Sequence, residues 1–207
     1  MMEAVMPMLF ATVVGFTHAF EADHLVAVGN IVTKREKLLL AIKDGIYWGL
    51  GHTSTIVLIG LLIIIGKATF LDGYFVYFEA VVGGMLVLLG IHRLYQFYQH
   101  RNSPHHLMDH QHSHHLAYGV GLVHGLAGSG AMILLVMSNI KGSMNSMIYL
   151  LLFGLGSVVG MLVAAGILGL PFSKKVLDKP FFQWALILLS SLLCIFYGAY
   201  VIWENIA

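Results

Sequence analysis

The sequence predicts an all-α, polytopic membrane protein whose six transmembrane helices form two inverted three-helix repeats. The 207 residues are 58% hydrophobic and only 10% charged, with a mean hydropathy of +0.84, which is typical of an integral membrane protein. Six apolar segments are long enough to supply the ~20 helical residues that cross about 30 Å of hydrocarbon. Motifs of the first half also recur in the second half about 105 residues later.

The six apolar segments form one transmembrane domain over residues 1–207. We place them at residues 4–32, 45–66, 75–98, 116–138, 146–170 and 181–203. The first segment is too long for a straight perpendicular helix, so we expect it to tilt or to break at its polar residues. Tyr47 and Trp48 are among several aromatic residues near segment ends, which predicts that they anchor the membrane interfaces.

An internal repeat divides this domain into two halves and a connecting loop. Their bounds are residues 4–99, 100–115 and 116–203. The sequence VGFTHA around His18 returns as VGLVHG around His124, and GLG at 49–51 returns at 154–156. Because each half has three spans, an odd number, the halves must face opposite ways across the membrane. Inverted repeats with helices broken near the midplane are a recurrent plan among transporters.

The first apolar segment contains two imidazoles and two carboxylates in seven consecutive residues, HAFEADH at 18–24. A charged side chain at the centre of a spanning helix costs about 2.5–3.5 kcal/mol. One interpretation is a hydrogen-bonded network that joins helices. The other is a ligand set for a divalent cation, because imidazole nitrogen and carboxylate oxygen suit nickel, cobalt, zinc or iron. The predicted metal ligands, with two further intramembrane histidines included, are His18, Glu21, Asp23, His24, His52 and His124.

An unbroken helix cannot direct this whole cluster at one ion. Successive side chains are about 100° apart, so Asp23 points about 140° away from His18. Either Asp23 is not itself a ligand and orients a ligand histidine through a hydrogen bond, or the backbone unwinds locally. Gly125, Gly128 and Gly130 would permit a matching break in the fourth segment.

The loop at 100–115, HRNSPHHLMDHQHSHH, contains seven histidines. Such tracts indicate metal binding by composition, although a solvated polar linker is the alternative. The residues predicted to capture metal are His105, His106, His110, His112, His114 and His115. Nine of the eleven Lys and Arg residues fall on the same side as this loop. The positive-inside rule then predicts a cell (inner) membrane protein with a cytoplasmic loop and with both termini outside the cytoplasm.

Three motifs resemble those of a known family. The histidine, four residues and Asp-His at 18–24 resemble the signature of the nickel/cobalt permease superfamily, although Glu21 stands where an aspartate is usual. GLGHTST at 49–55 resembles the second motif of that superfamily. HGLAGSGA at 124–131 looks like the fourth-helix motif of its six-span, urease-accessory-type branch. The resemblance implies transport of Ni²⁺ or Co²⁺, with Zn²⁺ possible, and cytoplasmic partners such as a nickel chaperone or urease and hydrogenase maturation factors.

We therefore predict a transporter of divalent transition-metal ions, taking up Ni²⁺ or Co²⁺ without enzymatic activity and without a resident cofactor. The net charge of +1 predicts no nucleic-acid partner. Alternatives are efflux, with the histidine-rich loop collecting cytosolic metal, and a membrane-bound metal store. A membrane acyltransferase could also use a histidine base oriented by an aspartate. That enzyme needs basic phosphate-binding residues nearby, and residues 4–33 contain no Lys or Arg.

The histidine ligands predict that transport weakens as the pH falls through about 6–6.5. A coordinating imidazole must be neutral, and free histidine has a pKa of about 6.5, so protons displace the metal below that value. The measurement is radiometal flux into liposomes between pH 5 and 8 without a proton gradient. A flat profile would contradict histidine ligation and favour a site built from carboxylates alone.

Overall fold

The computed structural model is all-α and describes residues 2–33, 35, 37–66, 75–99, 114–127, 143–170 and 180–206. Within those ranges it contains seven helices and no strand. They are α1 (Met2–His18), α2 (Ala22–Val32), α3 (Leu38–Gly66), α4 (Phe75–Gln99), α5 (His114–His124), α6 (Ser143–Gly169) and α7 (Pro180–Ile206).

Four of the seven helices, α3, α4, α6 and α7, are long and apolar enough to cross a membrane. At 1.5 Å per residue, the 29 residues of α3 extend about 43 Å, more than the hydrocarbon thickness requires. The first apolar segment is divided between the shorter helices α1 and α2. The break lies between His18 and Ala22, which confirms the prediction that this segment breaks at its polar residues.

One predicted boundary differs from the observed one by seven residues, and the others within the described residues differ by at most three. Helix α3 begins at Leu38, well before the predicted start at residue 45, because Asp44 is neutralised by a buried ion pair and does not end the helix. Helix α5 begins at His114, so the predicted loop at 100–115 is two residues too long. The same helix ends at His124, and the remainder of the predicted fourth span beyond residue 127 lies outside the described residues.

The helices pack in pairs around a short central helix. Helix α1 packs on α6, α3 packs on both α5 and α6, and α4 packs on α7. Helix α2 contacts α3, α4, α6 and α7, and it buries Ala27, Val28, Ile31 and Val32 among them. The residues that follow the helix break therefore lie inside the bundle, where their polar groups meet other helices.

Glycines set the closest approach of α3 to α5. A Cβ atom on Gly121 would overlap the carbonyl oxygen of Trp48, and a Cβ atom on Gly51 would overlap that of Tyr118. Without those side chains the two backbones come into direct contact, as small residues allow in membrane bundles. This crossing places His52 of α3 beside the C-terminal end of α5.

The crossing of α1 with α6 repeats that arrangement. A Cβ atom on Gly15 would overlap the carbonyl oxygen of Phe153, and a Cβ atom on Gly156 would overlap that of Thr12. Each of these four residues lies 105 or 106 positions from its counterpart in the other crossing. The sequence repeat therefore coincides with a repeat of helix contacts.

We expect Gly121→Ala to lower the stability of the bundle by roughly 1–3 kcal/mol, because the added methyl group meets the backbone at Trp48, which cannot rotate away. Gly119→Ala is the matched control, since a Cβ atom there would have no described atom outside its own helix turn within 4 Å. Alanine stabilises a helix relative to glycine, so the control should be neutral or slightly stabilising. Thermal unfolding of both variants in detergent micelles measures the difference. Equal melting temperatures would contradict the close backbone contact.

Candidate metal site

The break in the first apolar segment turns the chain immediately after His18. The amide of Phe20 donates to the carbonyl of Thr17 (2.9 Å), and that of Glu21 donates to the carbonyl of His18 (3.0 Å). These bonds to the third preceding residue tighten and end α1. The extended backbone of Glu21 then leads into Ala22, the first residue of α2. The change of direction allows the side chains on the two helices to face one another.

A second helix ends in the same way at the equivalent position of the repeat. Helix α5 ends at His124, as α1 ends at His18. The amide of Leu126 donates to the carbonyl of Val123 (3.1 Å), the counterpart of the Phe20 bond in α1. Two helix ends, each carrying a terminal histidine, therefore point into the bundle.

Four imidazoles meet at these helix ends. The ring centroid of His24 lies 4.5 Å from that of His18, 5.3 Å from that of His52 and 4.6 Å from that of His124. All four residues are buried, with at most 5% of their surface exposed. Two groups of ligand atoms, each within 4.8 Å, arise here: His18, His24 and His52, and Asp23, His24 and His124.

Each carboxylate of the cluster pairs with a neighbouring histidine. Oδ1 of Asp23 lies 2.9 Å from Nδ1 of His24, and Oε1 of Glu21 lies 2.9 Å from Nδ1 of His18. A carboxylate at Nδ1 favours the tautomer that carries its proton there, and this leaves Nε2 free to bind a metal. Oδ2 of Asp23 also approaches Nε2 of His124 at 3.5 Å, longer than a normal hydrogen bond.

The backbone break and the Asp23–His24 pair thus occur together, where the sequence presented them as alternatives. Among the described residues, Glu21 belongs to neither convergent group of ligands. Its side chain is 58% exposed, and its polar contact is with His18. The structure therefore places Glu21 beside His18 and outside both groups of converging ligand atoms.

Several buried ring nitrogens have no hydrogen-bond partner among the residues that the structure describes. They are Nε2 of His18 and His24 and both ring nitrogens of His52 and His124. More than nine in ten buried polar groups in proteins are bonded, and each unbonded group costs about 1–3 kcal/mol. A network that merely joined helices would have to satisfy these atoms with further partners. Nitrogen and oxygen donors in this arrangement could instead hold Ni²⁺, Co²⁺ or Zn²⁺.

Two aromatic rings enclose the cluster. The ring of Trp48 lies 5.4 Å from that of His24 and 5.7 Å from that of His124, and the ring of Phe153 lies 5.5 Å from that of His18. Trp48 is fully buried, so its prediction as an interfacial anchor is wrong. The repeat could have located it, because Trp48 and Phe153 occupy equivalent positions.

His114 of the predicted capture loop belongs to a separate buried cluster. Its Nδ1 atom lies 2.7 Å from Oδ1 of Asp44, and its ring stacks on Tyr47 with centroids 5.1 Å apart. Arg35 donates to both oxygens of Asp44, at 2.6 and 2.9 Å. His114 is therefore engaged with the helices, because the buried Asp44 carboxylate requires donors; His115 is exposed on α5. The histidines that lie outside the described residues are His100, His105, His106, His110 and His112.

No protein-family model and no solved structure matches the chain. Its sequence is, however, 37% identical over 175 residues to the urease accessory protein UreH from Bacillus sp. (strain TB-90). The similarity covers 78% of this chain and 75% of that relative. The chain belongs to the UreH family of urease accessory proteins. Membership of the UreH family agrees with the motif resemblance, because the motifs at 18–24, 49–55 and 124–131 resemble those of the urease-accessory-type branch.

We expect Asp23→Asn in this UreH-family chain to lower Ni²⁺ affinity by about 10–100-fold, the usual effect of altering a residue that orients a histidine ligand. The amide keeps the shape of the side chain but removes the charge facing His24 and His124. Glu21→Gln is the comparison, and its effect should be smaller because Glu21 is exposed. Titration calorimetry of the two variants in detergent checks this. Equal losses would contradict the distinction between the two carboxylates.

Proposed function

We propose that this chain is a membrane transporter that takes up Ni²⁺, with Co²⁺ as the competing cargo, through an intramembrane site. One observation carries the proposal. Four buried imidazoles converge where two helices end inside an apolar bundle, and several of their nitrogens are unbonded within the described part of the chain. Similarity to a urease accessory protein supports nickel as the cargo, because the motif resemblance to the urease-accessory-type branch implies a role in nickel supply.

The proposed architecture has six spans in two inverted repeats, with the first span built from α1 and α2. The reciprocal crossings of α1 with α6 and of α3 with α5 support it, since equivalent residues make equivalent contacts. Broken helices whose ends face a central site are the arrangement that alternating-access transporters use to bind ions. In this proposal the histidine-rich segment faces the cytoplasm and passes metal to a chaperone or maturation factor.

We further propose that the chain is not an enzyme. In the acyltransferase alternative, the aspartate five positions after the histidine orients that histidine as a base. Here the carboxylate at Nδ1 of His18 belongs to Glu21, while Asp23 pairs with His24. This arrangement supports four histidines acting as ligands over one histidine acting as a base.

The test of uptake uses cells that lack their own nickel importer, supplied with sub-micromolar radioactive nickel. We expect the wild-type chain to raise cell-associated nickel, because imidazole ligands bind the ion at low concentration. His18→Ala, His24→Ala and His52→Ala should each reduce this gain by at least about tenfold, since each removes one ligand. His92→Ala is the control, because His92 is an exposed histidine of α4.

Two outcomes would overturn this proposal. Accumulation below that of cells with empty vector, together with improved survival in toxic nickel, would assign efflux. Unchanged affinity of the purified His18→Ala and His24→Ala variants, measured by calorimetry, would place the site elsewhere in the chain.

A further inference from the structure

The histidine cluster contains two overlapping groups of ligands. The first consists of His18, His24 and His52, and the second consists of Asp23, His24 and His124. In each group the potential ligand atoms lie within 4.8 Å of one another. Because His24 belongs to both groups, the two cannot be filled independently.

His24 lies between equivalent elements of the two halves. Its ring is 4.5 Å from that of His18 and 4.6 Å from that of His124, the two histidines related by the repeat. Each of these is backed by the equivalent aromatic ring, Phe153 for His18 and Trp48 for His124. The surroundings of His24 are thus nearly symmetric, although the second half has Gly130 in the place of His24 itself.

The two groups differ in accessibility and in charge. The first consists of three imidazoles that are at most 5% exposed. The second includes the carboxylate of Asp23, whose side chain is 21% exposed. A partly accessible carboxylate attracts a cation that still keeps water molecules, because hard oxygen ligands suit a hydrated ion. Three dry imidazoles require the ion to give up that water.

We infer that the site provides two ion positions that are occupied in turn and share His24. The outer position is formed by Asp23, His24 and His124, and the inner position by His18, His24 and His52. This rests on the proposed transport function and adds the order of its steps. The ion binds first beside the carboxylate, and it then exchanges Asp23 and His124 for His18 and His52 while His24 stays bound. No ligand-free intermediate is needed, since one ligand is common to both positions.

The experiment removes one position at a time. His52→Ala removes a ligand of the inner position only, and His124→Ala removes a ligand of the outer position only. Co²⁺ is the probe, because its visible absorption depends on the number and type of ligands. Binding and spectra are measured on the purified chain in detergent, and radiometal flux is measured in liposomes. His24→Ala, which affects both positions, and the exposed His92→Ala serve as the two controls.

Two positions predict different results for the two variants. His124→Ala should keep the wild-type Co²⁺ spectrum and lose less than about tenfold in affinity, whereas His52→Ala should lose more than that and show a changed spectrum. Both should lose most of their flux, and His24→Ala should not bind. If the His52 and His124 variants shared one spectrum and one loss of affinity, a single four-histidine site would replace the two positions.

If the chain is not a metal transporter at all, the experiment gives a result that differs from that of a single four-histidine site. In that case the wild-type chain itself would bind neither Co²⁺ nor Ni²⁺, and both proposals would be rejected. If either alanine variant did not fold, as judged by gel filtration, the His52→Gln and His124→Gln variants would be compared by the same criteria. They keep most of the side-chain volume while removing the imidazole.

Discussion

The pairing of a carboxylate with Nδ1 of a histidine at a helix break is the interaction on which the site depends. It fixes the orientation of His24 through Asp23 and that of His18 through Glu21. The site also requires the helix break, since an unbroken helix would direct Asp23 away from His18. With it, the side chains of two successive helices reach the same point in the bundle. Within the described ranges the Nε2 atoms of both histidines have no hydrogen-bond partner.

The scaffold around the site is more symmetric than the site itself. Equivalent glycines bring α1 against α6 and α3 against α5, and equivalent aromatic residues pack on His18 and His124. The ligands do not follow this symmetry. His52 has Ser157 as its counterpart, and Asp23 and His24 have Ser129 and Gly130. Both halves therefore supply the framework, while most of the polar side chains of the cluster belong to the first half.

The sequence predicted the parts of this arrangement that local chemistry determines. The break at residues 18–24 followed from polar groups that an apolar helix could not direct at one point. The observed cluster also contains the predicted His52 and His124. The positions of Trp48 and His114 were missed, because an aromatic residue near a span end and a histidine near a loop are common in exposed places. The burial of Trp48 and the contact of His114 with Asp44 depend on long-range packing.

Arg35 illustrates the same limit. By sequence it was one of several basic residues on one side of the membrane. In the structure it is 2% exposed and donates to both oxygens of Asp44. Whether such a residue faces lipid headgroups or a buried carboxylate depends on how α3 packs, and that is decided by residues far away in the chain. The helix start at Leu38 was missed for the same reason.

The two carboxylates beside the histidines also determine how the cluster would respond to an electric field. With both carboxylates ionised and the imidazoles neutral, Asp23 and Glu21 give the cluster two formal negative charges. A divalent cation would bring the formal sum to zero, and the vacant cluster would carry the two negative charges. Moving one charge across a membrane involves about 2.3 kcal/mol per 100 mV. In the proposed transporter, the loaded cluster would therefore carry no net formal charge through the field, and the return of the vacant cluster would be the step that the membrane potential drives or opposes.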